Sequence, residues 1–91
     1  MQRKNKLYLS IVIPCHNEEI AIPKLCRKLE KVLAKSLNKP WEVFLVNDVS
    51  TDNTLKRIEL ISQRNPSFKV IDLKRRGGQT GAYRAAFKAA S

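Results

Sequence analysis

Two rhythms of apolar and polar residues alternate along this chain. LYLSIVIP, residues 7–14, is a dense apolar and β-branched run, which predicts a buried strand from about Tyr8 to Pro14. From Ala21 to Leu37 the spacing lengthens. Ile22, Leu25, Leu29, Val32 and Leu33 recur at helical intervals. Glu18 and Glu19 stand at the start of this helix, where the positive end of its dipole favours acids. NKP breaks the pattern, and WEVFLVN, Trp41 to Asn47, predicts a second strand apolar enough to be covered on both faces. Ser50, Thr51 and Asp52 are good N-caps ahead of a second helical stripe, Leu55, Ile58 and Ile61, which NPS ends. FKVIDL predicts a third strand, Phe68 to Leu73, RRGGQTG reads as a loop, and AYRAAFKAA is an Ala-rich helix former.

The predicted order is β-α-β-α-β-α. Strands alternating with helices call for a parallel sheet with right-handed crossovers. The simplest layout is an α/β, Rossmann-like three-layer half-domain, half of a doubly wound fold, with strands ordered 3-2-1. A second expectation, that the first strand lies between the other two, does not agree with that order. In such sheets ligands bind beyond the carboxyl ends of the strands. Those ends carry Pro14-Cys15-His16-Asn17, Asn47-Asp48 and Lys74-Arg75-Arg76-Gly77-Gly78, so three polar clusters are expected on one rim.

At 91 residues the chain suffices for one small domain with a limited core. Its apolar fraction of 43% excludes a disordered chain. No run approaches the ~20 apolar residues that span a bilayer. The basic start, MQRKNK, is followed by no small-residue cleavage site, so no signal peptide is read. The net charge of +10 fits a nucleic acid, an anionic membrane surface or a phosphorylated ligand, and equally a solvated basic surface on part of a larger protein. Only Lys74-Arg75-Arg76 are contiguous, and no aromatic residues are interleaved as a base-stacking platform requires. Cys15 and Cys26 have no metal or redox spacing, which points to a reduced, cytoplasmic chain.

Chemistry-bearing motifs are sparse. Neither a G-x-x-x-x-G-K-[ST] loop nor a G-x-G-x-x-G after a strand occurs. GGQTG reads as a plain turn or as a helix start that admits a phosphate to its N–H groups. With a single histidine, His16, neither a His-based metal site nor a Ser-His-Asp triad can be built. Asp48, at the end of an apolar strand, either accepts a hydrogen bond from a nucleobase N–H or caps the following turn. Asp52 reads as a cap.

In combination, SIVIPCHNEE, VFLVNDVSTDNT and LKRRGGQTGAYRAAF resemble the opening of a family 2 glycosyltransferase, the inverting, nucleotide-sugar-dependent GT-A class, and within it the polyprenyl- and dolichol-phosphate sugar transferases. The likeness runs from about Leu9 to Ala90. It implies that Pro14, His16 and Glu18 line the nucleotide pocket, with His16 replacing a frequent Tyr. It implies that Asn47 and Asp48 form the pair holding base and ribose, and that Gln79 stands near the diphosphate, where many members have Lys. Asn47 replaces the family's first Asp, and Val49 replaces its usual Gly. If that position needs φ > 0, a β-branched residue there is strained. The family's Asp-x-Asp metal motif lies beyond a stretch of this length. The resemblance therefore implies an N-terminal, nucleotide-recognising portion, residues 1–91, of a truncated catalytic domain, with no catalytic and no metal residues of its own. A divalent Mg or Mn is expected for the parent enzyme and none for this chain alone. The expected partners are a UDP- or GDP-sugar and, in a parent at the cytoplasmic membrane face, a polyprenyl-phosphate acceptor. No nucleic acid is expected, and an open sheet edge invites self-association. The alternative is a small basic α/β module that binds nucleotides or nucleic acid without catalysis.

Overall fold

The computed structural model describes residues 9–36 and 40–90. They form β1 (Leu9–Cys15), α1 (Ala21–Ser36), β2 (Trp41–Asn47), α2 (Thr54–Arg64), β3 (Phe68–Asp72) and α3 (Gly78–Ala90). The three strands make one parallel sheet in the order β1-β2-β3. The 3-2-1 order is therefore the observed one, and the expectation of a central first strand is wrong. β2 is central, as its composition requires. From Glu42 to Asn47 every residue is buried, whereas β1 runs from exposed to half-buried until Cys15. Only a strand with neighbours on both edges and layers on both faces buries every position.

The pleat of β2 divides the interior in two. Val43 and Leu45 point into a cluster with Ile22, Cys26 and Leu33 of α1, Ile58 and Ile61 of α2, and Phe68 of β3. Phe44 and Val46 point the other way, onto Ala82 and Ala86 of α3. This arrangement follows from handedness. Successive right-handed crossovers that step in one direction place α1 and α2 on the same face. α3 lies on the opposite face, against β1 and β2. Its small inward residues, Ala82 and Ala86, let the helix approach the sheet closely.

Several element boundaries differ from the sequence reading. β1 ends at Cys15, one residue later than expected; Tyr8 and Leu37, the outer limits read for β1 and α1, lie outside the described residues. In α1 the buried stripe is Ile22, Cys26 and Leu33, with Leu29 partly buried. Leu25 and Val32 instead face solvent, because a single supporting face accepts a narrower arc than the apolar spacing suggested. α3 takes in the residues read as the end of a loop. The Gly81 N–H donates to the Gly77 carbonyl at 2.9 Å, closing a first turn over residues 78–80. β3 stops at Asp72, one residue short, although the Leu73 N–H still reaches the Asn47 carbonyl at 3.0 Å.

Register carries the fold to the site. Cys15 is paired with Asn47, and Asn47 with Asp72, so the three strand ends finish level. At the other end, Trp41 meets Phe68 edge to face, with ring centroids 5.6 Å apart. Leu45, fully buried at the centre of β2, is the sharpest test of this core. We expect Leu45→Ala to lose about 2–5 kcal/mol in urea unfolding. That is a large part of the ~5–15 kcal/mol available to a domain, so the midpoint should fall steeply.

Candidate functional site: a buried carboxylate at the carboxyl rim

The site begins with a charge that has been taken out of water. Asp48 follows directly on β2 and is only 3% exposed. A buried carboxylate is tolerated when it is paired and hydrogen-bonded. Here Oδ1 accepts the Gly77 N–H at 2.8 Å, and Oδ2 accepts the Arg76 Nε–H at 3.2 Å. The Asp48 N–H donates to the Cys15 carbonyl at 2.8 Å, which extends the β1–β2 pairing by one residue. One residue thus ties the ends of β1 and β2 to the loop that enters α3.

His16 completes the cluster. Its Nδ1 lies 2.9 Å from the Asp48 carbonyl oxygen, which can only accept, so Nδ1 carries the proton. Nε2 faces two donors, Arg76 Nη1 at 3.3 Å and Asn17 Nδ2 at 3.5 Å, and therefore presents its lone pair. The partners specify the tautomer with Nδ1 protonated and leave the Nε2 side toward the exposed rim.

Asn47 does not point into open space. Its amide donates to Asp72 Oδ1 at 2.8 Å, and its carbonyl oxygen accepts the Ser50 hydroxyl at 2.6 Å. Ser50 in turn accepts the Asn17 N–H at 3.0 Å. A neutral Asn serves here where an Asp would face the Asp72 carboxylate, since only an amide can donate to one neighbour and accept from the other. Glu18 organises the first loop. Oε1 accepts the His16 N–H at 3.1 Å, its own N–H donates to Thr54 Oγ1 at 2.7 Å, and its carbonyl accepts the first α1 bond from Ile22 at 3.0 Å. Pro14 is half-buried in β1, opposite Val46, where an edge strand tolerates its missing N–H. Gln79 lies in the first turn of α3, but its side chain is outside the described residues.

The structure adds residues that the sequence reading passed over. Asn17 adopts φ 52°, and its Oδ1 accepts the Thr51 N–H at 2.7 Å and the Asp52 N–H at 3.4 Å. Asn is among the few residues at ease in that region. The signal for it was an Asn directly after a strand end. Arg76 was read only as part of a basic run, and nothing in the sequence distinguished it from Lys74 or Arg75, both exposed. Gly77 is the other omission. A Cβ on it would come within 3.0 Å of the Gly81 backbone, so a side chain there would push α3 off its start.

Asp52 acts as a cap, as expected, although the N-cap position itself falls to Asn53, whose side chain makes no capping bond. Asp52 Oδ1 accepts both the N–H and the hydroxyl of Thr54, and Oδ2 accepts the Glu19 N–H at 3.3 Å. The Thr54 hydroxyl bond leads in holding its carboxyl below the ordinary range. Cys15 and Cys26 are both free and buried. Burial pushes the Cys15 thiol up to about 12 and the Cys26 thiol up to about 11, so neither is a nucleophile at neutral pH. Among the described residues no group of three or more His, Cys, Asp or Glu is placed to hold a metal ion. The rim carboxylates Asp48 and Glu18 are bonded to Arg76, Gly77 and the His16 amide.

Comparison with known sequences gives the family. The sequence model of glycosyl transferase family 2 matches residues 10–91. The chain belongs to that family. Among relatives of this family 2 chain, an undecaprenyl-phosphate 4-deoxy-4-formamido-L-arabinose transferase of Pseudomonas savastanoi is 37% identical over 82 residues, covering 89% of this chain and 24% of the relative. A dodecaprenyl-phosphate galacturonate synthase of Rhizobium johnstonii is 37% identical over 82 residues, covering 87% and 23%. A dolichyl-phosphate beta-glucosyltransferase of Dictyostelium discoideum is 30% identical over 84 residues, covering 86% and 26%. The chain thus spans about a quarter of the length of the curated relatives it matches. Among solved structures, S. aureus TarS 1-349 superposes with TM-score 0.69 at 32% identity, over 91% of this chain and 24% of that one. The mannosyltransferase PcManGT from Pyrobaculum calidifontis, in complex with GDP-Man and Mn2+, superposes with TM-score 0.69 at 22% identity, over 94% and 25%, and supports the GT-A fold alone.

Two measurements follow from the loop geometry. Val49 sits at φ 53°, the region where the family's usual Gly is at ease and a β-branched residue is strained. Left-handed backbone costs an L-residue about 1–2 kcal/mol, offset in part by glycine's greater unfolded-state entropy of about 0.5–1 kcal/mol. Val49→Gly should therefore raise the thermal midpoint by a few degrees, about 4–8 °C for each kcal/mol gained. The lowered Asp52 carboxyl contributes stability that is present above the ordinary value near 4 and lost as pH falls through the folded value. Asp52→Ala should be less stable than wild type at pH 7 in urea unfolding, and that gap should shrink by about pH 2.

Proposed function

We propose that this family 2 chain is the nucleotide-recognition part, a single domain over residues 1–91, of an enzyme that transfers a sugar from a UDP- or GDP-linked donor to a polyprenyl phosphate. The observation that carries the reading is the convergence of two loops on Asp48, with Arg76 and Gly77 on its buried carboxylate and His16 on its backbone carbonyl. Such convergence at the carboxyl rim of a doubly wound sheet is where nucleotides bind. The relatives support the class of acceptor, since their names place undecaprenyl, dodecaprenyl and dolichyl phosphates in their reactions.

In this reading Asp48 accepts a ring N–H of uracil or guanine. Arg76, whose side chain is 57% exposed, lies over Asp48 and has to swing aside or stack on the base to admit it. Pro14 and His16 wall the pocket on the β1 side, Glu18 holds that loop in shape, and Asn47 keeps Asp48 level with the ends of β1 and β3. Lys74 and Arg75 approach the diphosphate from the α3 side, where cations suit phosphate better than metal, and the resemblance assigns Gln79 to the same group. A divalent Mg or Mn would neutralise the leaving diphosphate. The described residues do not fit one, so we assign it, with the acceptor site and the transfer chemistry, to residues outside this segment, in a parent enzyme at the cytoplasmic face of a membrane.

Titration of the chain with UDP and with GDP, followed by NMR, tests the pocket. We expect shifts at residues 14–18 and 47–50, and a Kd at least about tenfold weaker for the near-isosteric Asp48→Asn, since a lost hydrogen bond to a charged group costs about 1.5–3 kcal/mol. Millimolar nucleotide that leaves those residues unshifted, or binding indifferent to Asp48→Asn, removes Asp48 from the site.

A further inference from the structure

Away from the rim, the outer face of α1 and α2 carries charge that the nucleotide reading does not use. Lys24, Arg27, Lys28, Lys31 and Lys35 are all exposed on α1. Their spacing sets them within one arc of the helix, opposite the buried Ile22, Cys26 and Leu33. At 1.5 Å per residue the row extends for about 16 Å. The acid of that helix, Glu30, is turned aside to the Asn65 amide at 2.8 Å. Among the described residues none of these cations has a carboxylate within ion-pair distance; the pairs present are Lys69–Glu42 and Arg76–Asp48. Beside the row, Arg57 and Arg64 of α2 join Arg27 around an open cleft of about 550 Å³ floored by Pro23, Leu60 and Ile61.

Repulsion among so many like charges costs stability unless an opposite charge meets them. The apolar residues around the row indicate which kind. Ile20, Leu25, Val32 and Leu60 are 71, 44, 56 and 55% exposed and flank the cations. No aromatic residue lies on either helix, so bases would find nothing to stack on. A row of cations bordered by exposed aliphatic side chains matches an interface of anionic headgroups above acyl chains.

We propose that the α1–α2 face is a docking surface for an anionic lipid bilayer, with the α1 cations on the headgroups, the α2 arginines closing on a headgroup phosphate in the cleft, and Ile20 and Leu60 at the headgroup boundary. Docked this way the chain lies with its sheet beneath the helix layer and α3 turned away from the membrane. The surface is separate from the Asp48 rim, and either assignment can fail without the other.

The test is co-sedimentation of the 91-residue chain with phosphatidylcholine vesicles, with and without about 30% phosphatidylglycerol. Two double variants change the net charge equally, Lys28→Glu/Lys31→Glu on α1 and Arg84→Glu/Lys88→Glu on the opposite face, and all four side chains are exposed. Far-UV circular dichroism checks that each keeps its helices. We expect binding only to the anionic vesicles and its weakening from about 0.1 M to about 0.5 M salt. The α1 pair should lose at least about 25-fold, from roughly fivefold per cation near such a surface, and the α3 pair less than about threefold. Equal losses in the two variants would show a net-charge effect without a docking face. Absence of preference for phosphatidylglycerol, or tighter binding of a single-stranded oligonucleotide or a poly-glutamate peptide by the same α1 residues, would overturn the bilayer as the partner.

Discussion

A carboxylate cannot be left unpaired in a protein interior, and the rim of this chain is organised around that constraint at Asp48. Its oxygens take an N–H from Gly77 and a guanidinium N–H from Arg76, its carbonyl takes the His16 proton, and its own N–H reaches the Cys15 carbonyl. The bonds reach two stretches of chain, the end of β1 with its loop and the entrance to α3. Together they position the entrance to α3, the orientation of His16 and the level at which β1 hands over to its loop. The same group that these contacts bury is the one we propose to read a nucleobase, which would make stability and recognition bear on a single side chain.

Around that point a second network holds the loops after β1 and β2 against each other. Asn17 takes the Thr51 and Asp52 amides, Ser50 links Asn17 to Asn47, and Thr54 connects Glu18 to Asp52. The left-handed backbone at Asn17 and Val49 is the local cost of turning two strand ends so sharply into one site. At Asn17 the residue suits the conformation. At Val49 it does not, and the surrounding bonds impose a geometry that the side chain opposes.

The two faces of the sheet are unequal. α3 meets it through alanines and packs close, whereas α1 and α2 present an outer surface whose charge has no counterpart within the described residues. The two proposals fall on different parts of this asymmetric fold, nucleotide recognition on the strand ends and membrane docking on the basic helix layer.

The alternation of strand and helix, the parallel sheet, the rim on which the site sits and the family were all legible in the order of residues, because burial on both faces of β2 and the spacing of Ile22, Leu29 and Leu33 leave direct periodic traces. Even Val49 announced its strain, since a β-branched residue stood where a glycine was usual. What the linear order could not settle was which polar residue meets which. Nor did it show which apolar residues face outward: Leu25 and Val32 lie outside the arc of α1 that packs on the core. Arg76 is chemically the same as its neighbour Arg75, and Gly77 the same as Gly78. Only the approach of the α3 entrance to the end of β2 selects one of each to satisfy Asp48, because a hydrogen bond depends on distance and direction in space, and residues 28 and 29 positions apart acquire those only when the chain has folded.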